Sequence, residues 1–155
     1  MTDIALVWNN DLKAADIAIS GGQLVTDDGL RTAILISLFT DARANDDDPL
    51  PEPGADRRGW WGNAFPANDD LSDELGSKWW LLARSKATAD TLRRAEESAR
   101  GALQWIVAAQ IAAAVSVQVE RQDDGPTTRL AVAVILTRPT GPARDRYDFV
   151  WEASA

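Results

Sequence analysis

Read for chemistry, this 155-residue chain offers carboxylates and little else. Asp69, Asp70, Asp73 and Glu74 crowd four acids into six positions, and a glycan hydrolase needs only two carboxyl groups at a set separation. The plainer reading is that acids just ahead of a helix complement its positive end. Neither His nor Cys occurs, which removes imidazole bases, thiolate nucleophiles, Ser-His-Asp triads, disulfides and Cys/His zinc sites together. Asp46, Asp47 and Asp48 are hard oxygen ligands, but they lack the alternate spacing and closing Glu of a calcium loop, and prolines follow. Gly21-Gly22 and Gly59 to Gly62 lack the Lys-Ser/Thr ending of a phosphate loop. The residues therefore call for no catalytic group, cofactor, metal or small-molecule substrate.

Charge narrows the partners. Sixteen basic against twenty-four acidic residues give a net charge of −8, so nucleic acid and anionic membranes, which demand clustered Lys and Arg, are not expected. The most apolar stretch, Trp105 to Val117, is broken by Gln110 and falls short of the roughly 18 apolar residues of a membrane span. The first residues carry no basic, apolar leader, which places the expected chain in the cytosol. Length suits one domain over 1–155.

The elements that must position any site follow from periodicity. Ile4, Leu6 and Trp8 alternate, as do Ile17 and Ile19, and Gly21-Gly22 supplies a hairpin turn. Asp27 or Asp28 can cap a helix over about 28–41 with Leu30, Ile34, Leu35, Leu38 and Phe39 on its apolar face. From Asp41 the pattern stops, and the aspartates and prolines of 46–53 mark a loop that forms an irregular arm over about 42–70. Leu71, Leu75, Trp79 and Leu82 return at helical spacing, with Gly76 set to bend or split that helix. A long helix over about 89–110, opened by Thr88, carries Leu92, Ala95, Ala99, Leu103 and Ile106, with Glu96 and Arg100 placed to pair. Strands then run through Val115–Val119, Leu130–Leu136 and Tyr147–Trp151. The strand at 130–136 is apolar on both faces, which predicts a central position. The fold class is α+β: an antiparallel or mixed sheet of about five or six strands packed on two main helices, with an irregular Trp-rich central arm.

Seven tryptophans are the most distinctive feature. Trp79 and Trp105 lie on apolar faces and belong in the core. Trp60 and Trp61 have no periodicity to recruit them, and beside Arg57 and Arg58 they have the composition of an interface anchor. The competing reading folds the loop back so that Arg58 stacks on Trp60 or Trp61 within the chain. Tyr147, Phe149 and Trp151 form a last amphipathic strand able to pair with a neighbour by strand addition.

These residues resemble a known family. Gly21-Gly22, Arg57-Arg58-Gly59-Trp60-Trp61-Gly62, Gly76-Ser77-Lys78-Trp79-Trp80-Leu81-Leu82 with Arg84 and Lys86, Leu103-Gln104-Trp105, Leu136-Thr137-Arg138-Pro139 and Asp148-Phe149-Val150-Trp151-Glu152 are similar to the Mu-like bacteriophage tail baseplate protein family. The resemblance spans nearly the whole chain in order. It implies a small structural subunit of a contractile tail's baseplate wedge, in a phage, prophage or tailocin. Such a subunit is assembled in the host cytoplasm, contacts other wedge and tail proteins, sheath or tube among them, and helps start the sheath. It implies no catalytic residues. The residue-level alternatives are a carboxylate-dependent, lysozyme-like hydrolase and a cytosolic adaptor that binds a host protein.

Overall fold

Two glycines set the geometry of the amino-terminal unit. Gly21 and Gly22 have φ of +57° and +78°, the left-handed pair that a two-residue hairpin turn requires. Around them lie six short strands: β1 (Asp3–Ile4), β2 (Leu6–Asn9), β3 (Ala14–Ile17), β4 (Ile19–Ser20), β5 (Gln23–Leu24) and β6 (Thr26–Asp27). They are the halves of three bent strands, each of which changes partner at its midpoint. β1 pairs with β6, β2 with β3 and β4 with β5, all antiparallel. At the bend the backbone closes a ring: Ala5 N–H donates to Val25 O, Val25 N–H to Ala18 O and Ala18 N–H to Ala5 O, each at 2.9 Å. The structure describes residues 3–9, 12, 14–27, 29–65, 74–124, 127–138 and 144–152 and is a computed structural model.

Asp27 links this unit to the first helix, α1 (Arg31–Phe39). Its carboxylate accepts from Gly29 N–H at 3.0 Å and Thr32 N–H at 2.7 Å, satisfying amide donors that the helix leaves open. The Thr32 hydroxyl accepts from Leu6 N–H and donates to Ile4 O, so the helix start is tied to the strands it follows. Asp28, the other expected cap, lies outside the described residues.

Past α1 the periodicity misleads. Instead of a bent helix through Leu75, Trp79 and Leu82, the chain forms one 3-10 turn, Trp79–Leu82; Leu71 lies outside the described residues. The cause is a close backbone contact. Ser77 forms a parallel bridge with Asp41, in which Ser77 N–H donates to Thr40 O at 2.9 Å and Ala42 N–H to Ser77 O at 3.0 Å. Gly76 makes this approach feasible: its φ is +115°, and a Cβ there would stand 2.5 Å from Thr40 O and 2.8 Å from Ala42 N.

The long helix is also broken. α2 (Ala89–Ala102) starts at Thr88, whose hydroxyl accepts from Thr91 N–H. It ends at Leu103, and α3 (Gln104–Ala108) follows before Gln110 turns the chain with φ +57°. Among the described residues Arg93, not Arg100, makes the helix-surface pairs, to Asp90 at 2.8 Å and Glu97 at 2.6 Å. Glu96 instead accepts Val119 N–H at 3.1 Å, fastening α2 to β7 (Ala114–Asp124).

β7 pairs with β8 (Thr127–Thr137), and β8 with β9 (Asp145–Glu152), all antiparallel, so the two-faced apolar strand is central as its pattern predicts. The strands thus divide between a three-stranded sheet and the three-way unit rather than forming one sheet of five or six. Val117, Val119, Leu130, Val132, Val134, Leu136 and Phe149 cover Ile34, Leu35 and Leu38 of α1, Ala95 and Ala99 of α2, Leu103 and Ile106. Small alanines on α2 let the helix approach the sheet closely. Among the described residues no helix is long and apolar enough to cross a membrane.

The two glycines Gly76 and Gly101 should respond oppositely to alanine. Gly76→Ala meets both a disfavoured φ and backbone atoms and should lower unfolding free energy by about 2–4 kcal/mol. Gly101→Ala, on a helix with nothing within 4 Å of the new Cβ, should raise it by roughly 0.5–1 kcal/mol. Urea denaturation of both variants measures this.

Candidate assembly surface

The Arg-Arg-Gly-Trp-Trp-Gly string owes its shape to two left-handed residues in succession. Arg58 has φ +52° and Gly59 φ +107°, and a Cβ on Gly59 would press within 2.9 Å of Arg43 Cβ. Before this reversal the arginines are bonded within the chain, and beyond it the tryptophans are exposed. Arg58 forms a 2.7 Å ion pair with Asp41 and lies 4.7 Å over the ring of Trp80, neither of the two tryptophans nearest in sequence. Arg57 donates to Asn45 O and, at 3.1 Å, to Asp46 O. Both guanidiniums are thus engaged in holding the arm to its own chain.

Trp80 is the arm's anchor. It is buried with Ala44 and Leu81, with Leu50 packed alongside, and its indole N–H donates to Ala42 O at 2.8 Å. Its neighbour Trp79 faces the main core and donates to Ala95 O at 2.9 Å, as its spacing predicts. Trp105 packs against the same core and donates to Ser37 Oγ at 3.0 Å. A second fastening joins Lys78 to Asp48 at 2.6 Å, with Asn45 N–H donating to the same carboxylate oxygen at 2.7 Å. Asp48, considered as a calcium ligand, is therefore an ion-pair partner. No group of three or more metal-ligating side chains occurs among the described residues.

What the arm displays is aromatic. Trp61 and Phe65 are each 75 % exposed and Trp60 42 % exposed; the two indoles lie 5.7 Å apart, and the Trp60 ring is folded over Gly62. Phe65 was not singled out by sequence, although it closes the same 3-10 turn, with its N–H donating to Gly62 O at 3.0 Å. Of the acids weighed for catalysis, Glu74 is exposed, and Asp69, Asp70 and Asp73 lie outside the described residues.

The carboxyl-terminal strand presents a different face from the one its aromatic side chains suggest. Tyr147, Phe149 and Trp151 turn into the core, with Phe149 6.1 Å from Phe39 and Trp151 5.7 Å from Trp79. Among the described residues no strand pairs with the outer edge of β9. Val119 N–H points to Glu96, away from β8, so the antiparallel alternation directs the Val132 backbone to Phe149 on the other side. Backbone groups of Arg146, Asp148 and Val150 consequently face outward at the sheet edge. A groove of about 330 Å³ borders them, lined also by Val7, Trp8 and Arg31.

The chain belongs to the phage protein GP46 family, whose model matches residues 30–143. Among its relatives is the baseplate protein gp46 of Escherichia phage Mu, 44 % identical over 141 residues, or 91 % of this chain and 90 % of that protein. Another is the Mu-like prophage FluMu protein gp46 of Haemophilus influenzae, 34 % identical over 146 residues and 94 % of each chain.

The Asp48 pairing carries a pH signature. Burial pushes its carboxyl up, but hydrogen bonds from Lys78 and Asn45 N–H, with the charges of Lys78 and Arg94, more than offset this and hold it below the ordinary 3.8. A carboxyl depressed by folding contributes stability above its unfolded value and loses it as pH falls through the folded one. Asp48→Asn should cost about 1–2 kcal/mol at neutral pH. The gap to the parent should close on acidification below about pH 4; an unchanging gap in urea titrations across that range would contradict the assignment.

Proposed function

We propose that this protein is a structural subunit of a contractile phage tail baseplate, working through protein contacts and not through chemistry. The observation that carries the reading is 44 % identity, over nine-tenths of both chains, to a protein named as a baseplate protein. In this reading the chain assembles with other wedge and tail proteins in the host cytoplasm, ends in the virion tail, and helps to start the sheath. The bound arginines support a division of labour in the arm: Arg57 and Arg58 hold it rigid, and Trp60 and Trp61 meet a neighbour. Rigid display lowers the ordering cost of association, and Trp is enriched among residues that dominate interfaces. The open edge of β9 supports a second contact, in which an extended segment of a neighbour adds as a strand beside Arg146, Asp148 and Val150 while Tyr147, Phe149 and Trp151 keep the strand seated on the core.

Co-expression with the structural proteins encoded beside it tests both contacts. Trp60→Ala with Trp61→Ala should fold normally by circular dichroism yet lose a retained partner. Val150→Pro removes an outward N–H, which the sheet does not use, and should spare folding while preventing strand addition. Retention of every partner by both variants would overturn the surface assignment, and failure of the parent to retain any tail protein would overturn the baseplate reading.

A further inference from the structure

The groove along the outer edge of β9 holds a cation that no carboxylate of the domain neutralises at contact. Arg31 lines this groove with Val7, Trp8, Phe149 and Val150. Its guanidinium lies 5.2 Å over the Phe149 ring, the residue is exposed, and it makes no ion pair among the described residues. The Asp27 carboxylate binds the amides of Gly29 and Thr32 instead. The acids that line the groove belong to the other face of the sheet. Asp148 adjoins Phe149 in sequence, so its side chain projects from the opposite side of β9, where it pairs with Arg146 at 2.9 Å. Glu120 is in register with Ala131, which is in turn opposite Val150; it shares the face of Asp148 and stands about 10 Å from β9, two strand spacings away.

Strand addition at this edge changes the surroundings of Arg31. The Phe149 backbone is directed to Val132, so the residue opposite Phe149 on an added antiparallel strand falls at a non-hydrogen-bonded site, where Cα atoms stand about 4.5 Å apart and side chains are closest. That side chain meets the ring that Arg31 covers, and the strand that carries it takes water from the guanidinium. Withdrawing a cation from water without supplying an anion is unfavourable, whereas a carboxylate can accept a guanidinium at both oxygens. On the reading that a neighbour's strand adds to β9, we infer that this strand carries Asp or Glu opposite Phe149 and binds Arg31 through it. Arg31 thereby selects among extended segments: an apolar residue at that position leaves the cation covered and unpaired, and a basic one repels it.

The absence of native cysteine makes the partner segment identifiable. Val7→Cys, at a groove position that is 57 % exposed, is labelled with a benzophenone maleimide and photolysed in the complex recovered by co-expression with the neighbouring tail proteins. The crosslinked segment is expected to contain Asp or Glu. Hydrogen exchange in the same complex reads the charge: the Asp148 and Val150 amides should be protected in the parent and in Arg31→Lys. Their protection should fall about tenfold or more in Arg31→Glu and in Arg31→Gln, the second of which removes the charge without setting a new carboxylate beside Asp27. Both variants should match the parent by circular dichroism, and changing the partner's acid to Lys should restore protection to Arg31→Glu. Undiminished protection in both variants, or a crosslinked segment without an acid, would overturn the inference and leave strand addition standing. No protection of Asp148 and Val150 in the parent complex would overturn strand addition itself.

Discussion

The arm depends on one close contact, the backbone of Gly76 and Ser77 laid against the end of α1. Two backbone hydrogen bonds join Ser77 to Thr40 and Ala42, and the Ser77 hydroxyl, fully buried, donates to Leu38 O at 2.6 Å. With the chain fixed there, the tight turn that follows drives Trp79 into the main core and Trp80 into the arm's own cluster. Truncating a buried tryptophan costs about 3–5 kcal/mol, so these adjacent side chains weld an otherwise irregular segment to the domain. Contacts run from the junction outward: Trp80 carries Arg58, Arg58 pairs with Asp41 beside the reversal at Gly59, and Trp60 and Trp61 beyond it are exposed.

That order of construction gives the Arg-Gly-Trp string its meaning. A loop held by side chains of its own domain can present aromatics to solvent without collapsing onto them. Ion pairs as exposed as Arg58–Asp41 contribute little alone, about 0–1 kcal/mol, yet Arg58 also covers an indole, and the combination fixes geometry more than it adds stability. The sheet edge follows the same economy. Aromatic residues on the inner face of β9 anchor the strand, which leaves the outer backbone edge available at the proposed contact.

Much of this was legible in the sequence. Period-two alternation located all three strands of the main sheet, and the apolar character of both faces of 130–136 identified the central one. The Gly-Gly turn, the Thr88 cap and the burial of Trp79 followed from local chemistry. Illegible were features set by distant backbone. Spacing from Leu71 to Leu82 imitates a helix because nothing local reveals that Ser77 bonds to Thr40. The break at Leu103 and the diversion of Glu96 to Val119 likewise depend on where β7 lies. Composition grouped Arg57, Arg58, Trp60 and Trp61 as one candidate anchor but could not show that the arginines bond within the chain while Trp60 and Trp61 are exposed. Alternation at Tyr147, Phe149 and Trp151 marked the strand, and only the pairing of β8 with both neighbours revealed which backbone groups remain open.

The most direct test of the account is hydrogen–deuterium exchange on the protein alone and in the complex it forms with a neighbouring tail protein. The amides of Asp148 and Val150, together with those of Trp60 and Trp61, are expected to exchange freely in the isolated chain and to slow on assembly, while the outer face of α2 is unchanged. Protection confined to α2, with β9 and the arm exchanging as before, would contradict the account.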